Sequence, residues 1–169
     1  NRSEAALEPI TALANTEDQK LRKVVLYALA NIADPDSEDL LVEAAEKDNY
    51  SFETNKATAA LLLYVQRLSE EGERDQAEDL AEDLLKNAKK RNAPYTRTAA
   101  LALLTQIEGE EGVEELLDAM KDDNKEYRAA ALKFAAEFIN PETTKDWLKK
   151  ARRSNSEVEA EIINMLGET

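Results

Sequence analysis

The chain contains no histidine and no cysteine. Without imidazole it has no Ser-His-Asp triad, no histidine general base and none of the usual zinc or non-haem iron sites. Without thiols it has no disulfide, thiolate nucleophile or Cys-rich zinc site, which suits a reducing and an oxidising compartment equally. Glycine is also scarce, at 4 of 169 residues, and no glycine-rich phosphate loop is formed. No apolar run approaches the roughly 20 residues that span a bilayer, and no basic segment followed by an apolar one opens the chain, so neither an anchor nor a signal peptide is read. Cations are outnumbered, 22 Lys and Arg against 36 Asp and Glu, for a net charge of -14. That field repels phosphate backbones and anionic lipid, which predicts no nucleic-acid partner and no membrane docking.

The residues that are present favour helix. The chain is 43% hydrophobic and 34% charged, and Ala, Leu, Glu and Lys dominate, residues that lose little on entering a helix. The apolar material suffices for one modest domain or a stack of small units sharing a core. Gly72, Gly109, Gly112 and Gly167, with Pro35, Pro94 and Pro141, punctuate the chain where helices are expected to start or end, the glycines as left-handed caps. The pattern predicts helices at about 3–15, 19–33, 37–47, 52–71, 74–91, 95–108, 111–121, 125–140, 142–152 and 156–166. These make five antiparallel pairs, 3–33, 37–71, 74–108, 111–140 and 142–166, in a single all-α domain.

The second helices superpose on Arg22, Asn55, Arg97, Arg128 and Glu159. Two residues past these anchors stand Val24, Ala57, Ala99, Ala130 and Glu161; four past, Leu26, Ala59, Leu101, Leu132 and Ile163; seven past, Leu29, Leu62, Leu104, Ala135 and Leu166. An apolar stripe therefore follows the helical period in each copy. Among the first helices, Ile10, Leu116 and Trp147 share one position, which assigns Trp147 to the core.

Leu7-Glu8-Pro9-Ile10, then Asp18, then Leu21-Arg22 leading into Val25, Ala28 and Leu29, resembles the HEAT repeat pattern, and so does Asp123-Asn124, Tyr127-Arg128, Ala130-Ala131-Leu132. The resemblance covers essentially the whole chain and implies an α-α superhelix, a HEAT-like solenoid of about five helix pairs whose second helices line the concave side. Asn55 and Glu159 depart from the arginine position, which breaks a continuous Asp-Arg ladder.

Other constellations read as structural. Arg22 and Arg128 follow Asp18 and Asn124 by four residues and are expected to bond back to their own helix starts. Glu110, Glu111, Glu114 and Glu115 cluster where a carboxylate complements a helix dipole. Asp122, Asn124 and Glu126 alternate as in a calcium loop, but Tyr127 stands where the turn needs glycine. Lys86, Lys89, Lys90 and Arg91, and Lys149, Lys150, Arg152 and Arg153, fall at the ends of first helices, where cations meet exposed carbonyls; a solvated helix end is preferred there over an anion site. No cofactor, metal or catalytic residue is assigned.

Geometry points to one candidate surface. Positions one, five and nine past each anchor lie opposite the core stripe, about 40° apart in projection at 3.6 residues per turn. They place Lys23, Tyr27, Asn31, Lys56, Tyr64, Thr98, Gln106 and Lys133 on an outward strip, mildly basic and bearing two tyrosines, suited to a polar or acidic protein or peptide. The leading reading is a non-catalytic protein-interaction scaffold binding along its concave face. One alternative is a structural accessory module of a larger bacterial protein, since the chain is similar to helical repeats appended to secreted proteins with sugar-hydrolase-like domains. A second is a HEAT-like enzyme such as a bilin lyase. The chain begins at Asn1 rather than Met and is read as a piece of a longer, soluble bacterial protein, with cytoplasm, periplasm and secretion all left open.

Overall fold

A computed structural model describes residues 7–14, 16–52 and 56–168. Among them the regular structure is helical, with no strand. The helices are α1 (Leu7–Ala12), α2 (Gln19–Ile32), α3 (Glu38–Lys47), α4 (Ala57–Glu71), α5 (Arg74–Lys90), α6 (Pro94–Glu108), α7 (Val113–Ala119), α8 (Lys125–Ala135), α9 (Pro141–Ala151) and α10 (Ser156–Glu168). Each agrees with a helix expected from sequence. Residues 3–6 and 53–55 of the expected first and fourth helices, and the anchor Asn55, lie outside the described residues. No helix among the described residues is long and apolar enough to cross a membrane.

Local chemistry sets the helix ends. Asp18 caps α2, its carboxylate accepting from the Lys20 and Leu21 amides at 2.9 and 3.2 Å. Asn124 caps α8 by accepting from the Tyr127 amide at 3.0 Å. At α9, Asn140 accepts from the Glu142 and Thr143 amides while the Thr143 hydroxyl accepts from the Asn140 amide, a reciprocal box that satisfies donors helix geometry leaves open. Gly72 and Gly109 take positive φ, 98° and 67°, as expected of left-handed caps. The other two glycines differ from that expectation: Gly167 lies inside α10, and Gly112 has φ of -63°. At Gly112 the requirement is space, because a Cβ there would meet the Thr105 Cα at 2.8 Å.

The chain divides into two compact units, residues 1–103 and 104–169. In the first, α4 packs against α2, α3 and α5, and Leu29, Leu41, Leu61, Tyr64, Val65 and Leu68 are fully buried. In the second, α7 packs on α8 and α9, and α10 on α8 and α9, around Leu104, Leu116, Trp147 and Ile162. Trp147 is 0% exposed, a core residue as its repeat position implied.

The helical register explains where sequence superposition held. Positions three, four and seven past Arg22, Arg97 and Arg128 are buried: Val25, Leu26 and Leu29; Ala100, Leu101 and Leu104; Ala131, Leu132 and Ala135. In α4 the same positions are Ala60, Leu61 and Tyr64, counted from Ala57. The superposition on Asn55 is therefore two residues out of step. Lacking an arginine at the equivalent point, α4 offers no polar landmark, and its Ala- and Leu-rich sequence fits an apolar stripe at either offset. Two assigned stripe residues are largely exposed to solvent, Val24 at 65% and Ile163 at 49%.

Candidate functional site

Lys23, Tyr27 and Asn31 share the outward face of α2, which follows from the burial of Val25, Leu26, Leu29 and Ala30 on its other side. Tyr27 is 61% exposed, and Lys23 and Asn31 are partly exposed. The Asn31 side-chain amide donates to the Tyr27 carbonyl at 2.8 Å, so part of its bonding capacity is spent within the helix. Val24 and Leu21 are exposed beside them. The face is thus an aromatic ring and two aliphatic side chains bordered by a lysine, of which the tyrosine is the residue type enriched at protein contacts.

Tyr64 does not belong to that strip. It is fully buried, and its hydroxyl donates to the carbonyls of Asp34 at 3.0 Å and Pro35 at 3.3 Å, at the turn between α2 and α3. The two-residue offset in α4 puts it where Leu29 and Leu104 stand in their helices. Its ring fills the core and its polar tip finds a backbone partner. Burial, with Glu38 and the other nearby acids, raises the phenol far above its ordinary pKa. Ala60, one turn before it, is also buried.

The remaining strip residues are dispersed. Lys56 is exposed at the start of α4, with φ of 58°. Thr98 is partly exposed on α6 in the first unit; Gln106 and Lys133 are exposed in the second. Only on α2 do three of the expected residues form one face.

In the second unit Arg128 is 5% exposed. One guanidinium nitrogen donates to the Asp122 and Asp123 carbonyls at 3.0 and 3.3 Å, bonding back to the start of its own helix as expected. Two others form a bidentate pair with Glu161 of α10, both at 2.9 Å, and Glu157 lies at 3.3 Å. The hydrogen bond from Arg128 holds the Glu161 carboxyl below its ordinary pKa. The sequence superposition placed Glu161 two residues past its anchor, in the core stripe. Its pairing escaped notice because the partners are 33 residues apart, one repeat, and nothing local joins them.

Beside Arg128 opens a cleft of about 650 Å³. Glu114 and Asp118 of α7 and Asp122 and Asp123 of the following turn contribute acids to its lining, and Lys149, Lys150 and Arg153 at the end of α9 contribute cations. A smaller depression of about 460 Å³ shares Lys149 and Arg153 and adds Lys145, Leu148 and Arg152. The Lys150 ammonium is pushed below its ordinary pKa, first by burial and then by Lys121. The other basic run is partly neutralised: Lys86 pairs with Glu82 at 2.8 Å and Arg91 with Glu46 at 3.6 Å. By contrast, Lys145, Lys149, Lys150, Arg152 and Arg153 make no ion pair among the described residues. Sequence reading treated both runs alike. The distinguishing signal was the scarcity of acids around the second, since Asp146 is the single carboxylate from 145 to 153.

The calcium-like alternation at Asp122, Asn124 and Glu126 resolves into turn and cap bonds. Asp122 accepts from the Asn124 amide at 2.9 Å, and Asn124 caps α8.

Comparison with known proteins gives one family. A search of curated proteins and a search of solved structures each give no match. A family model for HEAT repeats matches residues 81–167, just over half the chain and the segment that holds α6 to α10 with the Arg128 network. Repeated helix pairs, a recurring buried register and this match together show that the chain belongs to the HEAT repeat family.

Proposed function

We propose that this chain is a non-catalytic scaffold that binds a protein partner through the outward face of α2. HEAT repeats are in general protein-interaction scaffolds, and the observation that carries the reading here is the exposure of Tyr27 beside Val24. A tyrosine and a valine in water on an ordered helix are costly to solvate and ready to be covered. Lys23 and Asn31 at the margin add polar selectivity. The inventory supports the non-catalytic part, since histidine and cysteine are absent.

The test is affinity capture from the source organism's extract with the wild-type chain and with a Lys23→Ala, Tyr27→Ala, Asn31→Ala variant. Tyr64 is left intact because its loss would disturb the core. A partner retained by the wild type and lost by the variant supports the α2 face. Equal retention moves the interface to another surface.

A further inference from the structure

Val24 and Ile163, the two stripe residues left in solvent, lie on different flanks of their helices, and the packing of α8 on α10 inside the second unit shows what each flank meets. There α8 leads and α10 follows. Lys125 and Arg128, three residues before the α8 anchor and the anchor itself, reach Glu157 and Glu161, two before and two past the α10 anchor Glu159. Counted from Arg22, the following positions on α2 are Lys20 and Val24; counted from Glu159, the leading positions on α10 are Ser156 and Glu159 itself. These positions are uncovered. Lys20 and Glu159 are exposed and make no ion pair among the described residues. Val24 is exposed where its counterpart Glu161 is mostly covered. Ile163 is exposed where Leu26 and Leu132, also four past their anchors but in helices that α4 and α10 follow, are buried.

We infer that the outward face of α2 receives α10 of a second copy of this chain, with α10 in the part that α8 plays inside the second unit and α2 in the part of α10, so that the protein associates with itself head to tail. The inference rests on the reading of α2 as an interface and names its occupant. Transferred to the contact between copies, the register sets Glu159 against Lys20, the leading-to-following pair that Arg128 makes with Glu157 at 3.3 Å, with the signs exchanged. Ile163 comes to a face that carries Val24 and Tyr27, and covering these side chains removes apolar surface from water. First helices also pack on one another, α7 on α9. The same docking therefore carries Lys145, Lys149 and Arg152 of α9 toward α1 and its turn, where Glu8, Glu17 and Asp18 are exposed. A local match of opposite charge is what lets two copies approach when each carries a net charge of -14. Because the two surfaces differ, the contact is heterologous, and every open assembly keeps one uncovered α2 and one uncovered α10.

The test is sedimentation velocity of the purified whole chain from about 10 to 500 μM at about 0.15 M salt, where charges farther apart than a Debye length are screened. The wild type should show a mass that keeps rising with concentration. Val24→Glu on α2 and Ile163→Glu on α10 should each weaken self-association at least about tenfold, and circular dichroism checks that both fold. Mixed in equal amounts, these two variants should form a dimer and nothing larger, since one retains a good α10 and the other a good α2. Lys20→Glu or Glu159→Lys alone should weaken association about threefold or more, and the double variant should recover most of the loss. A wild type that stays monomeric throughout, a dimer that survives both Val24→Glu and Ile163→Glu, or a mixture of the two that does not dimerise overturns the inference. Capture from extract separates the two readings: a foreign partner held by wild type and Ile163→Glu but lost by the α2 variant leaves the scaffold reading standing even where self-docking fails.

Discussion

Single side chains in this protein do work that their neighbours cannot assume. Tyr64 spends its hydroxyl on two carbonyls of the α2–α3 turn, so Tyr64→Phe leaves those acceptors under-satisfied and is expected to cost about 1 kcal/mol, read from urea denaturation, with partner capture unchanged. Arg128 is buried with every bond directed at a carbonyl or carboxylate. Arg128→Ala strands Glu161 and should cost about 3 kcal/mol. Glu161 also sets a pH dependence. Its folded pKa is depressed, so its contribution is present above the ordinary carboxylate range and is lost as pH falls through the lowered folded value. In denaturation series at pH 7 and pH 3, Glu161→Gln should be destabilised by about 1–3 kcal/mol at the higher pH and by much less at the lower.

At the level of helices, backbone proximity adds a constraint that composition does not reveal. Gly112 brings the start of α7 within a Cβ's reach of the Thr105 backbone. Because the obstacle is main chain rather than a movable side chain, Gly112→Ala should cost about 1–3 kcal/mol, seen as a lower melting temperature. The helices of the described residues were legible in the sequence, because caps such as Asp18 and Asn124 and glycines such as Gly72 mark ends by local bonding rules. Register was legible where an arginine marked the helix, at Arg22, Arg97 and Arg128. It was lost in α4, where no such residue stands and a two-residue shift leaves the apolar pattern nearly unchanged. Of the expected site, the α2 face survives intact because its own burial pattern defines it. The cleft beside α9 was not legible, since it depends on which of two similar basic runs finds acids in space.

For the molecule as a whole, charge is the dominant imbalance. A net charge of -14 makes the folded chain repel itself, and several ion pairs among the described residues are exposed i,i+3 or i,i+4 contacts of small individual worth. Screening should therefore relieve more repulsion than it removes attraction, and the melting temperature is expected to rise between about 10 and 300 mM NaCl. A fall would place more of the stability in ion pairs than this account allows.

Trp147 is the one tryptophan in the chain, sealed from solvent, its indole nitrogen without a hydrogen-bond partner among the described residues. It makes the second unit optically self-reporting: emission should be blue-shifted and resistant to acrylamide quenching in the native state. Unfolding of the unit should move that emission to the red without any added label, so intrinsic fluorescence and whole-chain ellipticity can be followed together to time the melting of the repeats around the cleft against that of the remaining helices.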